Sequence, residues 1–165
     1  MKNSKKGFTL IELLIVIALL GALAVGLLAA LDPFEQLKKG DDTGVRNTVS
    51  ETQGAIIRYY AIKNFMPWSG VSSIGPVDML TGFSTLNMQS VIDSGELKSD
   101  FSTLAGAGQL AKINVIGTDQ SVTVCFKPTS KSFRSDPNTK YDISGIEGCT
   151  DTPSDPAFSC YWCVR

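Results

Sequence analysis

Lys5-Lys6-Gly7-Phe8-Thr9-Leu10-Ile11-Glu12 leads directly into Leu13–Leu31, nineteen residues without a charged or hydroxyl side chain. At about 1.5 Å per residue, a helix over this run is roughly 28 Å long, close to the roughly 30 Å hydrocarbon thickness of a bilayer. The run predicts one membrane span. Lys2, Lys5 and Lys6 precede it with no acidic residue among them, a bias that holds the N-terminus in the cytoplasm and sends the remainder outward. Glu12 is the odd feature. An ionised carboxylate at the centre of a membrane helix costs about 2.5 to 3.5 kcal/mol on insertion scales, and less near the helix end. Glu12 at the headgroup level is the bland reading, but an anchor selected only for lipid would avoid it, so Glu12 is read as a residue with a task.

The rest of the composition narrows the function classes. With 165 residues and 17.7 kDa, the chain holds one ordinary domain and an appendage. Its formal net charge of −1 would become −4 on loss of Lys2, Lys5 and Lys6, which argues against a nucleic-acid partner. There is no histidine, so Ser-His-Asp triads, Cys-His pairs and His-ligated metal sites are excluded by inventory. No catalytic residue, cofactor or metal is expected.

Residues Lys5 to Glu12 and the apolar run behind them closely resemble the class III signal of type IV pilins and pseudopilins: a short basic leader ending in glycine, then Phe-Thr-Leu-Ile-Glu and a long apolar helix. The resemblance implies cleavage between Gly7 and Phe8 by a prepilin peptidase and N-methylation of Phe8. It implies that Glu12 of an incoming subunit pairs with the Phe8 amine of its neighbour, offsetting a burial that is otherwise unfavourable. The apolar run survives such processing, whereas an ordinary signal peptide loses it with the leader. The competing site is Ala22-Leu23-Ala24, which fits signal peptidase and would leave a secreted chain starting at Val25, with Glu12 unexplained.

Outward from the apolar run, Phe34, Leu37, Val45, Val49, Thr52, Ile56 and Tyr60 recur mostly three or four apart and predict an amphipathic helix reaching Phe65. Pro33 should kink or interrupt the long helix, and Gly21 and Gly26 should loosen it. The resemblance implies that Gly21 through Pro33 partly melts when a filament assembles. Met66-Pro67-Trp68-Ser69-Gly70 is read as the stop. The expected organisation is a leader at 1–7, a transmembrane and polymerisation helix at 8–31, its amphipathic half at 32–65, and a globular head at 66–165.

Within the head, Thr85–Ser94 reads as a short helix closed by Gly95. Lys112–Ile116 and Ser121–Phe126 read as a hairpin, with Ser130–Arg134 as a third strand and Phe158–Val164 as a final one. The apolar face of this antiparallel sheet would bury Ile113, Val115, Val122, Val124 and Phe126 against the Val49, Ile56 and Tyr60 side of the long helix. The fold class is therefore α+β: a long N-terminal helix on a small antiparallel sheet, which in the resembling family forms a ladle, with a C-terminal segment closed by disulfides.

Cys125, Cys149, Cys160 and Cys163 all fall in the exported part, where an even count points to two disulfides. Four cysteines allow three connectivities and the sequence does not choose among them. Pairing Cys149 with Cys160 and Cys125 with Cys163 is preferred, because it would pin a final strand to the sheet. A four-cysteine zinc site is the rival, weakened by having only one CxxC pair. Cys160-Tyr161-Trp162-Cys163 mimics a thioredoxin motif but lacks its βαβ setting. Lys127, Lys131, Arg134 and Lys140 around Phe133 are candidates for a DNA-contacting patch, and Asp151 with Asp155 for calcium ligands, neither with a supporting signature.

The expected function is a structural subunit of a type IV pilus or related filament serving adhesion, motility, DNA uptake or secretion. The alternatives are a type II secretion pseudopilin or minor pilin, or a secreted or membrane-tethered binding domain that never polymerises. The implied partners are other pilin subunits, the prepilin peptidase, an assembly platform membrane protein with its ATPase, and membrane lipid before assembly. The implied location is the cytoplasmic membrane with the head outside, then an extracellular pilus or periplasmic pseudopilus.

Overall fold

The computed structural model describes residues 7–30, 32–68 and 70–165. Lys2, Lys5 and Lys6, the predicted end of the apolar run at Leu31, and Ser69 of the predicted helix stop lie outside the described residues. The chain divides into an N-terminal unit ending at Gln36 and a C-terminal unit beginning at Leu37.

The N-terminal unit holds helix α1, Leu10–Ala30. It is apolar on every side, and its large side chains are exposed, from 46% at Val16 to 82% at Leu10. Leu10–Leu28 is long and apolar enough to cross a membrane. Helix α2, Pro33–Lys63, starts afresh after Asp32. The Asp32 carboxylate accepts the Glu35 N–H at 3.2 Å and its carbonyl accepts the Gln36 N–H at 3.3 Å. Proline at the first helical position loses a donor that has no intrahelical partner anyway. Of the two outcomes expected of Pro33, a kink or an interruption, the second is found, with Pro33 opening α2.

The C-terminal unit is built on the rest of α2. Val45, Val49, Thr52, Ile56 and Tyr59 form its buried stripe, spaced three or four apart. Tyr59 takes the core position expected of Tyr60, which is only half-buried. The helix ends at Lys63 rather than Phe65, because Asn64 adopts the left-handed conformation with φ 59° and donates its N–H to the Tyr60 carbonyl. The stop thus comes before the Pro67 signal.

Five strands form one antiparallel sheet in the order β1-β2-β3-β5-β4. They are β1 (Ser73–Asp78), β2 (Ile113–Thr118), β3 (Val122–Phe126), β4 (Thr139–Tyr141) and β5 (Tyr161–Val164). β2 and β3 make the expected hairpin, with Gly117 opposite Val122. Ile113, Val115, Val122, Val124 and Phe126 join Val45, Val49, Ile56 and Tyr59 in one core. β1 lies in a stretch read from sequence as mere connection. Its Gly75-Pro76 pair signals a turn, but proline is tolerated on an edge strand, and a bulge between Ile74 and Val77 absorbs it.

The expected third strand at Ser130–Arg134 is instead a single helical turn, α6, Lys131–Arg134, capped by Ser130, whose Oγ accepts the Phe133 N–H at 3.3 Å. Serine before a short turn was a cap signal stronger than the strand pattern. The remaining helices are α3 (Met88–Asp93), inside the predicted Thr85–Ser94 segment, and two short ones with no sequence expectation, α4 (Phe101–Ala105) and α5 (Ala107–Leu110).

Two further contacts tie distant segments of this unit together. Asp42 on α2 is 2% exposed and accepts from the Thr129 N–H at 3.1 Å, the Thr129 Oγ at 3.0 Å, the Ser130 N–H at 2.7 Å and the Ser130 Oγ at 2.6 Å. One carboxylate thereby satisfies four donors of the loop that starts α6. At the other end, Trp68 lies against Gly117 and donates its indole N–H to the Thr118 carbonyl at 3.0 Å. A Cβ on Gly117 would fall 2.3 Å from the Trp68 ring.

Gly117→Ala should therefore destabilise the unit by about 1 to 3 kcal/mol through overpacking. Asp42→Ala, which strands buried donors, should cost about 2 to 4 kcal/mol. Thermal unfolding of the full chain in detergent reads both. An unchanged midpoint in either variant would remove that contact from the list of supports.

Candidate assembly site

The N-terminal motif is organised around the start of α1. Gly7, Phe8 and Thr9 precede the helix without regular structure, and Phe8 is 81% exposed. A peptidase needs its scissile bond outside a helix, and Gly7-Phe8 meets that condition. Thr9 is the cap of α1, with Glu12 three residues on. The Thr9 N–H and Oγ–H donate to Glu12 Oε2 at 2.8 and 2.7 Å, and the Glu12 N–H returns a bond to Thr9 Oγ at 3.3 Å. This is a reciprocal capping box, T-x-x-E. It was legible in the sequence as a spacing but was not read there. Glu12 Oε1 accepts no hydrogen bond among the described residues.

Gly21 and Gly26 both sit inside α1, with nothing near the position a Cβ would take. Packing among the described residues requires neither. Each still weakens the helix by roughly 1 kcal/mol relative to alanine.

The cysteines close the far end of the C-terminal unit. Cys125 on β3 and Cys163 on β5 face one another in register and are bonded, and Cys149 is bonded to Cys160. Cys160 and Cys163 thus have different partners, so the CxxC spacing forms no redox pair. With every thiol consumed in a disulfide, no thiolate is left to hold zinc. The Asp151 carboxylate lies by Cys149 and Cys160, but it accepts the Ser159 N–H at 2.6 Å and the Ser159 Oγ–H at 2.7 Å. Asp155 Oδ1 accepts the Ala157 N–H at 2.8 Å.

Two members of the basic cluster, Arg134 and Lys140, are engaged within the unit. Phe133 is 7% exposed. Arg134 stacks over Phe158 at 4.9 Å and donates to the Pro128, Pro153 and Asp155 carbonyls at 3.3 to 3.4 Å. Lys140 pairs with Glu147 at 3.2 Å and holds its carboxyl below the usual glutamate range. Such clamps hold a polar segment that has few apolar side chains of its own.

The two Ser159 donors hold the Asp151 carboxyl below the ordinary aspartate range. A depressed folded value means that this contact stabilises above the unfolded pKa, roughly 3.9, and is lost as pH falls through the folded value. The Ser159 amide resonance should therefore be steady at neutral pH and shift only below about pH 4. A midpoint at or above the ordinary aspartate value would disprove the contact.

Residues 2–28 match the prokaryotic N-terminal methylation motif, the class III signal of type IV pilins and pseudopilins. Comparison with curated proteins and with solved structures gave no match. The motif belongs to structural subunits rather than enzymes, and in general it implies prepilin peptidase processing and assembly with other pilin subunits. An apolar N-terminal helix carrying it fits membrane anchoring followed by a pilus.

Proposed function

We propose that this chain is a structural subunit of a type IV pilus or related filament, cleaved between Gly7 and Phe8 and polymerised through α1. The supporting observation is Glu12, the only charged residue from Phe8 to Leu31, with one oxygen capping its own helix and the other accepting no hydrogen bond among the described residues. Cleavage would turn the Phe8 nitrogen into a cationic amine, and N-methylation leaves that charge in place. Two unit charges 4 Å apart attract by about 1 kcal/mol in water and about 4 kcal/mol at an effective dielectric of 20. Moving Glu12 and a neighbour's Phe8 amine together into an apolar bundle therefore strengthens their attraction while offsetting the cost of burial.

The open oxygen lets Glu12 meet that amine without giving up its helix cap. The apolar surface of α1 exchanges lipid for neighbouring copies of itself, delivered by a membrane platform and its ATPase. Gly21, Gly26 and the break before Pro33 supply the slack that lets α1 fit a helical bundle. The head performs no chemistry. Its surface sets the filament's use, in adhesion, motility, DNA uptake or secretion. A pseudopilin or an initiating minor pilin would carry the same motif at different abundance.

Peptide mass spectrometry of envelope or sheared surface material should find a chain beginning at N-methylated Phe8. A chain beginning at Val25 would instead mean a secreted domain and end the polymerisation reading. Glu12→Ala should leave the protein in the membrane, because it removes a charge from the span, while abolishing filaments in sheared fractions. Surface filaments at the normal level in that variant would show that Glu12 has no assembly role.

A further inference from the structure

From Phe8 to Leu31 only Thr9 and Glu12 carry a polar side chain, and the two are bonded to one another. Every other residue of that stretch is apolar or glycine, so no second side chain there can donate to the Glu12 carboxylate. Glu12 has three rotatable side-chain bonds. Left alone at the start of an apolar helix, its carboxylate could swing among many positions, and fixing it for a partner would cost that freedom.

The box removes the freedom beforehand. Both Thr9 donors end on the same oxygen, Oε2, the backbone N–H at 2.8 Å and the hydroxyl at 2.7 Å. The Glu12 N–H closes the ring onto Thr9 Oγ at 3.3 Å. Two donors converging on one oxygen fix the carboxylate over the helix start and turn Oε1 away from them. Any residue but proline would offer the backbone donor, but only a hydroxyl side chain offers the second. A hydroxyl bound to a carboxylate makes one of the stronger hydrogen bonds, and more so where water is scarce. Scission of the Gly7–Phe8 bond would leave both Thr9 donors in place.

We propose that Thr9 is the positioning residue of the assembly site, its hydroxyl holding the Glu12 carboxylate so that Oε1 is presented to the Phe8 amine of a neighbouring copy. A group already fixed in its bound position loses less on pairing, so more of the attraction remains to hold the two copies together. This role rests on the filament reading above and gives the Glu12 site a second residue. It differs from plain helix capping, because it requires the Thr9 hydroxyl as a donor to Glu12 and not merely a favourable residue before α1.

Three variants of the full chain separate these roles, each read as sheared filament relative to the N-methylated, membrane-held subunit. Thr9→Ser keeps the hydroxyl. Thr9→Val keeps the shape of threonine but loses the hydroxyl and is a poor helix cap, whereas Thr9→Gly loses the hydroxyl and caps a helix about as well as threonine. Thr9→Ser should assemble at the unaltered level. Thr9→Val and Thr9→Gly should both fall by about tenfold or more, the factor expected for one lost hydrogen bond to a charged group. Normal filaments from Thr9→Gly, with loss confined to Thr9→Val, would reduce Thr9 to a helix cap and overturn the proposal. Normal filaments from Thr9→Val, or their loss in Thr9→Ser, would overturn it as well. Failure of the variants to be cleaved and methylated would assign Thr9 to the peptidase instead. The filament reading fails separately, by the absence of filaments from the unaltered chain or by normal filaments from Glu12→Ala.

Discussion

The apolar surface of α1 is the constraint on which the proposed assembly depends, because it has to be removed from water. Burying a leucine, isoleucine or valine is worth about 1.5 to 3 kcal/mol, and none of the Leu10–Leu28 span is buried. That free energy is unused in folding. It remains available first to lipid and then, on the proposed reading, to neighbouring copies. A helix of this kind could satisfy its backbone hydrogen bonds in either environment, since all of them lie within the segment.

The C-terminal unit has a core of its own. Its core draws one stripe from α2 and one face from a five-stranded sheet. Beyond that core, the polar segments are held by discrete devices: Asp42 fixes the loop before α6, Arg134 ties three carbonyls to its stack on Phe158, and two disulfides anchor β5 and the segment leading to it. Each device replaces apolar burial with a directional contact. This suits a surface that is polar in one place and left apolar in another.

The parts legible in the sequence were those with strong periodicity or fixed spacing. The apolar run, the stripe on α2 and the β2–β3 hairpin each show a period that one face of one element must satisfy. The parts that escaped are short and depend on neighbours. β1 carries Gly75-Pro76, which reads as a turn until β2 is there to pair with it. α6 shows alternation over too few residues to outweigh the Ser130 cap. Tyr59 and Tyr60 are adjacent, and only the pitch of a helix docked on a sheet decides which one enters the core. The Thr9 and Glu12 box was available as a pattern, yet the membrane reading of Glu12 obscured its local role.

The sequence by itself determined that the chain has one span-length apolar helix with a single carboxylate near its start, an amphipathic continuation, an antiparallel sheet and four cysteines to cross-link. These are properties of composition and period, which need no knowledge of the partner element. The tertiary structure alone decided which cysteines meet, which loop Asp42 receives, and that Gly117 must leave room for Trp68. Those outcomes join residues tens of positions apart. Their distances are set by how elements pack, a constraint that local sequence does not carry.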